Sequence, residues 1–372
     1  MSSQADRPHV LAIVEQFWHR EPGGTATATE LTLAALAECE EFRLTGLAAR
    51  HSPPGQQEQA PWQRMPAGST LQFDVLPRPL LYEAWLRLGR PSIDRYCEPG
   101  SVVWASSLIV PPTEHPVVAT VHDLDFLANP DRVGVRVRRF FNRMWRRARD
   151  RADLLVCPSH TVADDCRRRG VPPHRLAVVP WGVAPPRCDP DRAQQLLRDL
   201  ELAPGYVLWV GPLSPRKNAR RAAHALGRVD APVVAVVSGG DHPSAVAAWA
   251  SLGSRVRRFT GVDDETLSAL YRGAGLLFYP SLAEGFGLPV VEAMAHGTPV
   301  VTSAGTATEE MAAGAAALVD PGDPDAMAEV VQALLRDGSL RRRLVENGLS
   351  RASHLTWDAT AKGYADAFRS VR

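Results

Sequence analysis

The chain has 372 residues, 45% hydrophobic and 22% charged, more than the roughly 250 to 300 over which one hydrophobic core usually keeps growing, so two domains are expected. Lys plus Arg (42) balances Asp plus Glu (41), which excludes a wholesale polyanion binder such as a DNA-coating protein and makes any anion specificity local. Five widely spread cysteines, Cys39, Cys97, Cys157, Cys166 and Cys188, never form C-x-x-C; this fits neither a disulfide framework nor a zinc site and suits a reducing cytoplasm.

The N-terminal "MSSQADRPHVLAIVEQFW" lacks a charged region followed by a long apolar core, and no apolar run approaches membrane-spanning length. Any membrane contact is therefore expected from the surface. Strands are predicted at 9–14, 42–49, 101–106, 116–123, 152–159 and 175–182. Between the second and third, "HSPPGQQEQAPWQRMPAGS" (51–69) is polar and rich in Pro and Gly, the composition of a mobile loop. The stretch 132–153 is strongly basic, with Val137, Phe140, Phe141, Met144 and Trp145 at helical spacing. An interior apolar stripe with a solvated arginine face is the first reading, and a helix lying on anionic lipid is the second.

"WGVAPPRCDPDR" (181–192) is the linker candidate, because its prolines disfavour both helix and central strand. Beyond it, strands are predicted at 206–211, 231–239, 255–261, 275–281, 298–304 and 316–321. Continuous rather than alternating apolar strands separated by helices indicate parallel sheets covered on both faces. Two such sets imply two doubly wound domains, with ligands beyond the carboxyl ends of the strands, in a cleft.

The chemistry-bearing motifs follow strands. After 206–211, Arg216 and Lys217 precede a helix beginning near Asn218; a planar fork beside a point charge suits a diphosphate. After 275–281, Glu284 lies in the loop "LAEGFG", Pro289 is assigned to the first helical position and Glu292 to the first helical turn. Gly285 and Gly287 let a ligand approach the backbone. Carboxylates only accept hydrogen bonds, so two acids here suit a hydroxyl-rich ligand such as a sugar and a ribose.

"YVLWVGPLSPRKN", "GVDDETLSALYRGAGLLFYPSLAEGFGLPVVEAMAHGTPVVTS", "AALVDPGDPDAMAEVV" and "LTWDATAKGYADAF", with weaker matches at "GGTATATELTLAAL", "TVHDLDFL", "VCPSHTVADD" and "VVPWGV", resemble the group 1, or family 4, retaining glycosyltransferases. That resemblance implies an α/β GT-B fold, two Rossmann-like doubly wound domains facing across a cleft. The expected boundaries are 1–187 for the acceptor-side domain, 188–355 for the nucleotide-sugar domain and 356–372 for a C-terminal helix packing back on the first.

It also implies transfer of a hexose, with mannose and GDP preferred and UDP or other nucleotides left open, from a nucleoside diphosphate sugar to a hydroxyl of a glycan, lipid-linked or small-molecule acceptor. Glu284 would contact the transferred sugar near its anomeric centre and Glu292 the ribose. The main chain of Gly285, Phe286, Gly287 and Leu288 would line the sugar and phosphate pocket. His122 would approach the sugar, Gly23 and Gly24 would face the diphosphate, and Arg216 and Lys217 would stabilise the departing diphosphate. No cofactor or metal, no nucleic acid partner, and a cytoplasmic location, with peripheral contact at the inner membrane face through 132–151, are the corresponding expectations. Trp181-Gly182 replaces the family's usual N-G, and "ATEE" replaces P-E, with Glu309 the nearer equivalent.

Three rivals stand beside this reading. Asp123-x-Asp125 resembles the cation-binding D-x-D of metal-dependent glycosyltransferases of the other major fold. A dinucleotide dehydrogenase would need a G-x-G-x-x-G after a strand, which is missing from the sequence. A non-catalytic GT-B-like binding protein would tolerate loss of the basic pair and the two acids, and all four are present.

Overall fold

The structure is a computed structural model that describes residues 7–19, 23–51, 61–132 and 134–372. It divides into two compact units, Met1–Gly182 with Trp357–Arg372, and Val183–Thr356.

The first unit carries β1 (His9–Ile13), α1 (Gly24–Glu38), β2 (Arg43–Arg50), β3 (Thr70–Pro77), α2 (Arg78–Leu88), β4 (Val102–Ala105), β5 (Val117–Thr120), α3 (Asp125–Ala128), α4 (Val135–Arg151), β6 (Leu154–Cys157), α5 (His160–Arg168) and β7 (Leu176–Val178). The strands form one parallel sheet in the order β3-β2-β1-β4-β5-β6-β7. Every residue of β1 is buried. Leu11 and Ile13 enter one core with Trp85 and Trp145, while Val10 and Ala12 enter the opposite core with Leu33, Leu36 and Phe42. A strand covered on both faces has no solvent side to alternate toward, and its sequence reads as a continuous apolar run.

The edge strand β3 escapes that pattern. Half of its residues are exposed and only one is buried, so "TLQFDVLP" carries no such run. Of the proline-rich stretch 51–69, residues 52–60 lie outside the described ones, and Pro61–Arg64 is a single 3-10 turn. In α4 the stripe of Met144, Trp145 and Ala148 is buried, and Phe140 and Phe141 pack against the same core. This is the interior-stripe arrangement; Val135 and Val137 at the helix start stay exposed.

The second unit carries α6 (Pro190–Asp199), β8 (Tyr206–Val210), α7 (Ala219–Gly227), β9 (Val233–Val236), α8 (Pro243–Ala250), β10 (Val256–Phe259), α9 (Asp264–Gly273), β11 (Ala274–Tyr279), α10 (Leu288–Ala295), β12 (Val300–Ser303), α11 (Ala307–Ala312), β13 (Ala317–Val319), α12 (Pro324–Arg336) and α13 (Gly338–Ser353). The parallel order is β10-β9-β8-β11-β12-β13. From β8 the chain runs outward to β10, then returns to the other side of β8 through β11. The β8/β11 junction is thus the switch point of the sheet. Asp189, Asp263, Asp323 and Asp337 cap α6, α9, α12 and α13 through their carboxylates, each typically worth about 1 kcal/mol.

The last helix, α14 (Trp357–Ser370), belongs to the first unit. Tyr364 and Phe368 are fully buried in the core around Trp104. The Tyr364 hydroxyl is 2.9 Å from Thr120 Oγ1, and the Thr360 hydroxyl donates to Pro180 O. No described helix is long and apolar enough to cross a membrane.

Candidate active site

The loops that follow β8 and β11 meet at the switch point of the second sheet, the position where open parallel sheets bind ligands. Main chain joins them: Leu282 N–H donates to Arg216 O at 2.8 Å. Gly211 leaves β8 with φ +120°, and a Cβ there would stand 3.4 Å from Lys217 Cε. Asn218, at φ 61°, turns the chain into α7, and its amide donates to Pro321 O.

Lys217 Nζ lies 2.6 Å from Glu284 Oε1 and also donates to the Tyr279 hydroxyl. Arg216 Nη2 stands 3.9 Å from Glu284 Oε2. The Lys217 and Glu284 side chains are only 10% and 7% exposed, whereas Arg216 is 36% exposed. Burial opposes ionisation of Glu284, but Lys217 and Arg216 together outweigh it and hold the carboxyl below its usual range. Two cations around one carboxylate leave a net positive charge, which favours an anionic ligand group beside a hydroxyl acceptor.

Glu292 differs from its predicted place. The helix α10 begins at Leu288, Pro289 is its second residue, and no acid occupies the first turn. The cause is Gly287, which caps the helix in the left-handed conformation at φ 95° and starts it one residue early. Glu292 therefore falls in the second turn, beyond the dipole-complementing position. Its Oε2 accepts from the Tyr271 hydroxyl at 2.8 Å. Burial raises its pKa, partly opposed by that hydrogen bond.

Gly287 has a second constraint, since a Cβ would stand 2.6 Å from Thr308 Cγ2. Gly285 and Phe286 are buried and Leu288 is half-buried. Glu309 lies in the first turn of α11 and accepts from Gly305 N–H at 2.6 Å.

The other predicted residues belong to the first unit. Gly23 caps α1, which begins at Gly24, with open space where a side chain would project. His122 follows β5; its Nε2 donates to Ser106 O at 2.8 Å, while buried Nδ1 makes no hydrogen bond among the described residues. Burial lowers its pKa despite Ser106 and Asp123, which favours the neutral ring. The Asp125 N–H donates to Asp123 Oδ1 at the start of α3, and Asp125 accepts from the Asn129 amide.

Three residues passed over in the sequence join these sites. Tyr279 and Tyr271 supply the hydroxyls that touch Lys217 and Glu292. In the first unit, buried Glu15 follows β1, accepts from Ala49 N–H at 2.8 Å and lies 2.9 Å from His51 Nε2. An acid directly after a continuous apolar strand was the available signal.

Residues 22–187 match the model of the glycosyltransferase family 4 and residues 198–351 that of the glycosyl transferases group 1. The chain is 29% identical over 270 residues to the O-antigen chain mannosyltransferase B of Escherichia coli, covering 68% of this chain and 70% of that protein. It is 37% identical over 247 residues to a D-inositol 3-phosphate glycosyltransferase of Salinispora arenicola, covering 58% and 54%. The match thus spans little more than half of the latter. Among solved structures, Anabaena Alr3699/HepE in complex with UDP-glucose superposes with a TM-score of 0.73 at 17% identity, covering 97% of this chain and 99% of that one.

Proposed function

As the chain belongs to the group 1, family 4 glycosyltransferases, matched in both halves, we propose that it transfers a hexosyl residue from a nucleoside diphosphate sugar to an acceptor hydroxyl, with retention and without a metal. The supporting observation is the buried Lys217–Glu284 pair with Arg216 beside it at the switch point of the second sheet.

In this reading the donor diphosphate faces Arg216 and Lys217. Bond breaking at the anomeric carbon moves negative charge onto the leaving diphosphate. Cations already held in place stabilise that charge without reorganising, and losing one such group raises a barrier by about 2.7 to 4 kcal/mol. Lys217 is held by Glu284 and Tyr279, which keeps its ammonium oriented before the donor arrives. The main chain from Gly285 to Leu288 lines the sugar and phosphates, with Gly23 and Gly24 on the first unit contributing to the diphosphate. Glu284 accepts from sugar hydroxyls and Glu292 from those of the ribose. The neutral His122 offers Nδ1 as an acceptor to the sugar.

Mannose is the preferred sugar, in keeping with the mannosyltransferase named among the relatives, and a glycan, lipid-linked or small-molecule hydroxyl is the acceptor. A cytoplasmic enzyme touching the inner membrane face through the start of α4 is consistent with exposed Val135 and Val137 beside exposed Arg136 and Arg139.

The test is a thermal-shift panel of GDP, UDP, dTDP, ADP and NAD with excess EDTA. Ligand at 100 times its dissociation constant stabilises by about 2.7 kcal/mol. A shift with one nucleoside diphosphate supports the reading and names the base. A response only after Mg²⁺ or Mn²⁺ is added would overturn metal independence, and silence under both conditions would overturn donor binding.

A further inference from the structure

Asp94 opens and Cys97 follows the 3-10 turn Asp94–Tyr96, ahead of β4. His115 lies two residues before β5. Because β4 and β5 pair in parallel, with Val103 opposite Val117, the segments entering them run side by side. The pairing gathers residues that no short motif links: one ligand atom each from Asp94, Cys97 and His115, all within 4.8 Å of one another, on half-buried side chains.

We propose that Asp94, Cys97 and His115 form a binding site for a divalent cation of borderline softness, Zn²⁺ being the best match. Carboxylate, thiolate and imidazole are the three protein donors zinc takes, and three of them leave one tetrahedral position open. A cavity of about 500 Å³ adjoins the cluster, lined by Asp94, Thr113, Glu114, His115 and Asp153 among others, with room for a water or an external ligand there. Arg147 and Arg151 also stand on its wall, with Arg147 donating to Val110 O.

The carboxylate is already oriented. Asp94 Oδ1 accepts from the Thr113 hydroxyl at 2.5 Å and from Glu114 N–H at 3.2 Å, and Oδ2 accepts from the Ser92 hydroxyl at 2.7 Å. Partners of this kind hold metal ligands in place. Cys97 N–H donates to Asp94 O at 3.0 Å, which fixes the spacing of the first two donors. The site stands at the amino ends of β4 and β5, opposite to the carboxyl ends where donor chemistry is placed, and a bound ion would staple the two strand entries together.

The test uses Co²⁺ as the probe on full-length protein stripped with a chelator. One equivalent is expected to produce a thiolate-to-cobalt charge-transfer band and the strong visible bands of tetrahedral cobalt, both abolished by equimolar Zn²⁺. Cys97→Ser should lose the charge-transfer band, and His115→Asn should weaken Co²⁺ binding at least about ten-fold. Thr113→Val, a positioning change, should keep the band and weaken binding by roughly ten-fold. Cys39→Ser should behave as the native protein. Circular dichroism checks that each variant folds; if Cys97→Ser does not, the native spectrum and His115→Asn decide. Absence of the band from native protein, or its survival in Cys97→Ser, overturns the proposal.

Discussion

Lys217 Nζ and Glu284 Oε1 lie 2.6 Å apart, both almost wholly buried, at the junction of β8 and β11. Each charge offsets the desolvation of the other, so removing Glu284 leaves Lys217 without its counter-ion, and removing Lys217 leaves Glu284 only the more distant and more exposed Arg216.

Lys217→Met should destabilise the second unit by about 3 to 5 kcal/mol, while the double variant Lys217→Met/Glu284→Gln should lose much less than the sum of the single changes. Denaturant unfolding of all four proteins in the cycle measures the coupling. Additive effects would mean that the two side chains do not act as a pair. In the same set, Glu284→Gln should remove most transfer and spare nucleotide affinity.

Acid should separate the two glutamates. The pKa of Glu284 is depressed below its ordinary 4.5, so its stabilisation is complete above 4.5 and lost only as pH falls through the lower folded value. The pKa of Glu292 is raised from 4.5; its contribution to stability is complete below 4.5 and fades as pH rises through the folded value. A ribose hydroxyl donates a stronger hydrogen bond to the ionised carboxylate than to the protonated acid. Nucleotide affinity should accordingly weaken on acidification while an ordinary glutamate would still be charged. Calorimetric titration from neutral pH downward should show that weakening, and in Glu292→Gln the profile should be flat and the affinity lower throughout.

Gly287→Ala should destabilise through two separate causes, the left-handed backbone at φ 95° and the 2.6 Å approach of the new Cβ to Thr308 Cγ2. In a Thr308→Ala background only the backbone cause persists, about 1 to 2 kcal/mol. Unfolding midpoints in the two backgrounds should therefore differ. Equal losses would show that the loop shifts to relieve the contact.

Phe368→Ala should cost about 3 to 5 kcal/mol, the usual loss for a large aromatic in a packed core. Its partners, Phe42 and Trp104, are in the first unit, so the loss should appear in the unfolding of that unit and leave the unfolding of Val183–Thr356 as in the native protein. An equal loss in the unfolding of Val183–Thr356 would overturn the assignment of α14 to the first unit alone.

The alternation of strands and helices was legible because a parallel sheet buried on both faces leaves continuous apolar runs, as β1 and β11 show. The edge strand β3 was not, since only one of its residues is buried. Glu284, Arg216 and Lys217 could be placed at one site from their positions after neighbouring strands. The turn occupied by Glu292 could not, because it depends on the left-handed φ of Gly287. Tyr279 and Tyr271 were illegible as partners, as nothing in an apolar strand or helix pattern says where a hydroxyl ends. Asp94, Cys97 and His115 likewise meet only through the register of β4 with β5.

The chain order of the two units has a consequence for synthesis. The second unit is one uninterrupted stretch, Val183–Thr356, whereas the first waits for Trp357–Arg372. Until α14 emerges, Trp104, Phe42 and Leu33 lack the cover that Tyr364 and Phe368 provide. At a translation rate of roughly 5 to 20 residues per second, the earlier-made half spends many seconds with that greasy face open, while the later-made half already holds its full complement of residues. A chain cut short before Trp357 would therefore have a second unit that can close and a first that is a target for chaperones and proteases.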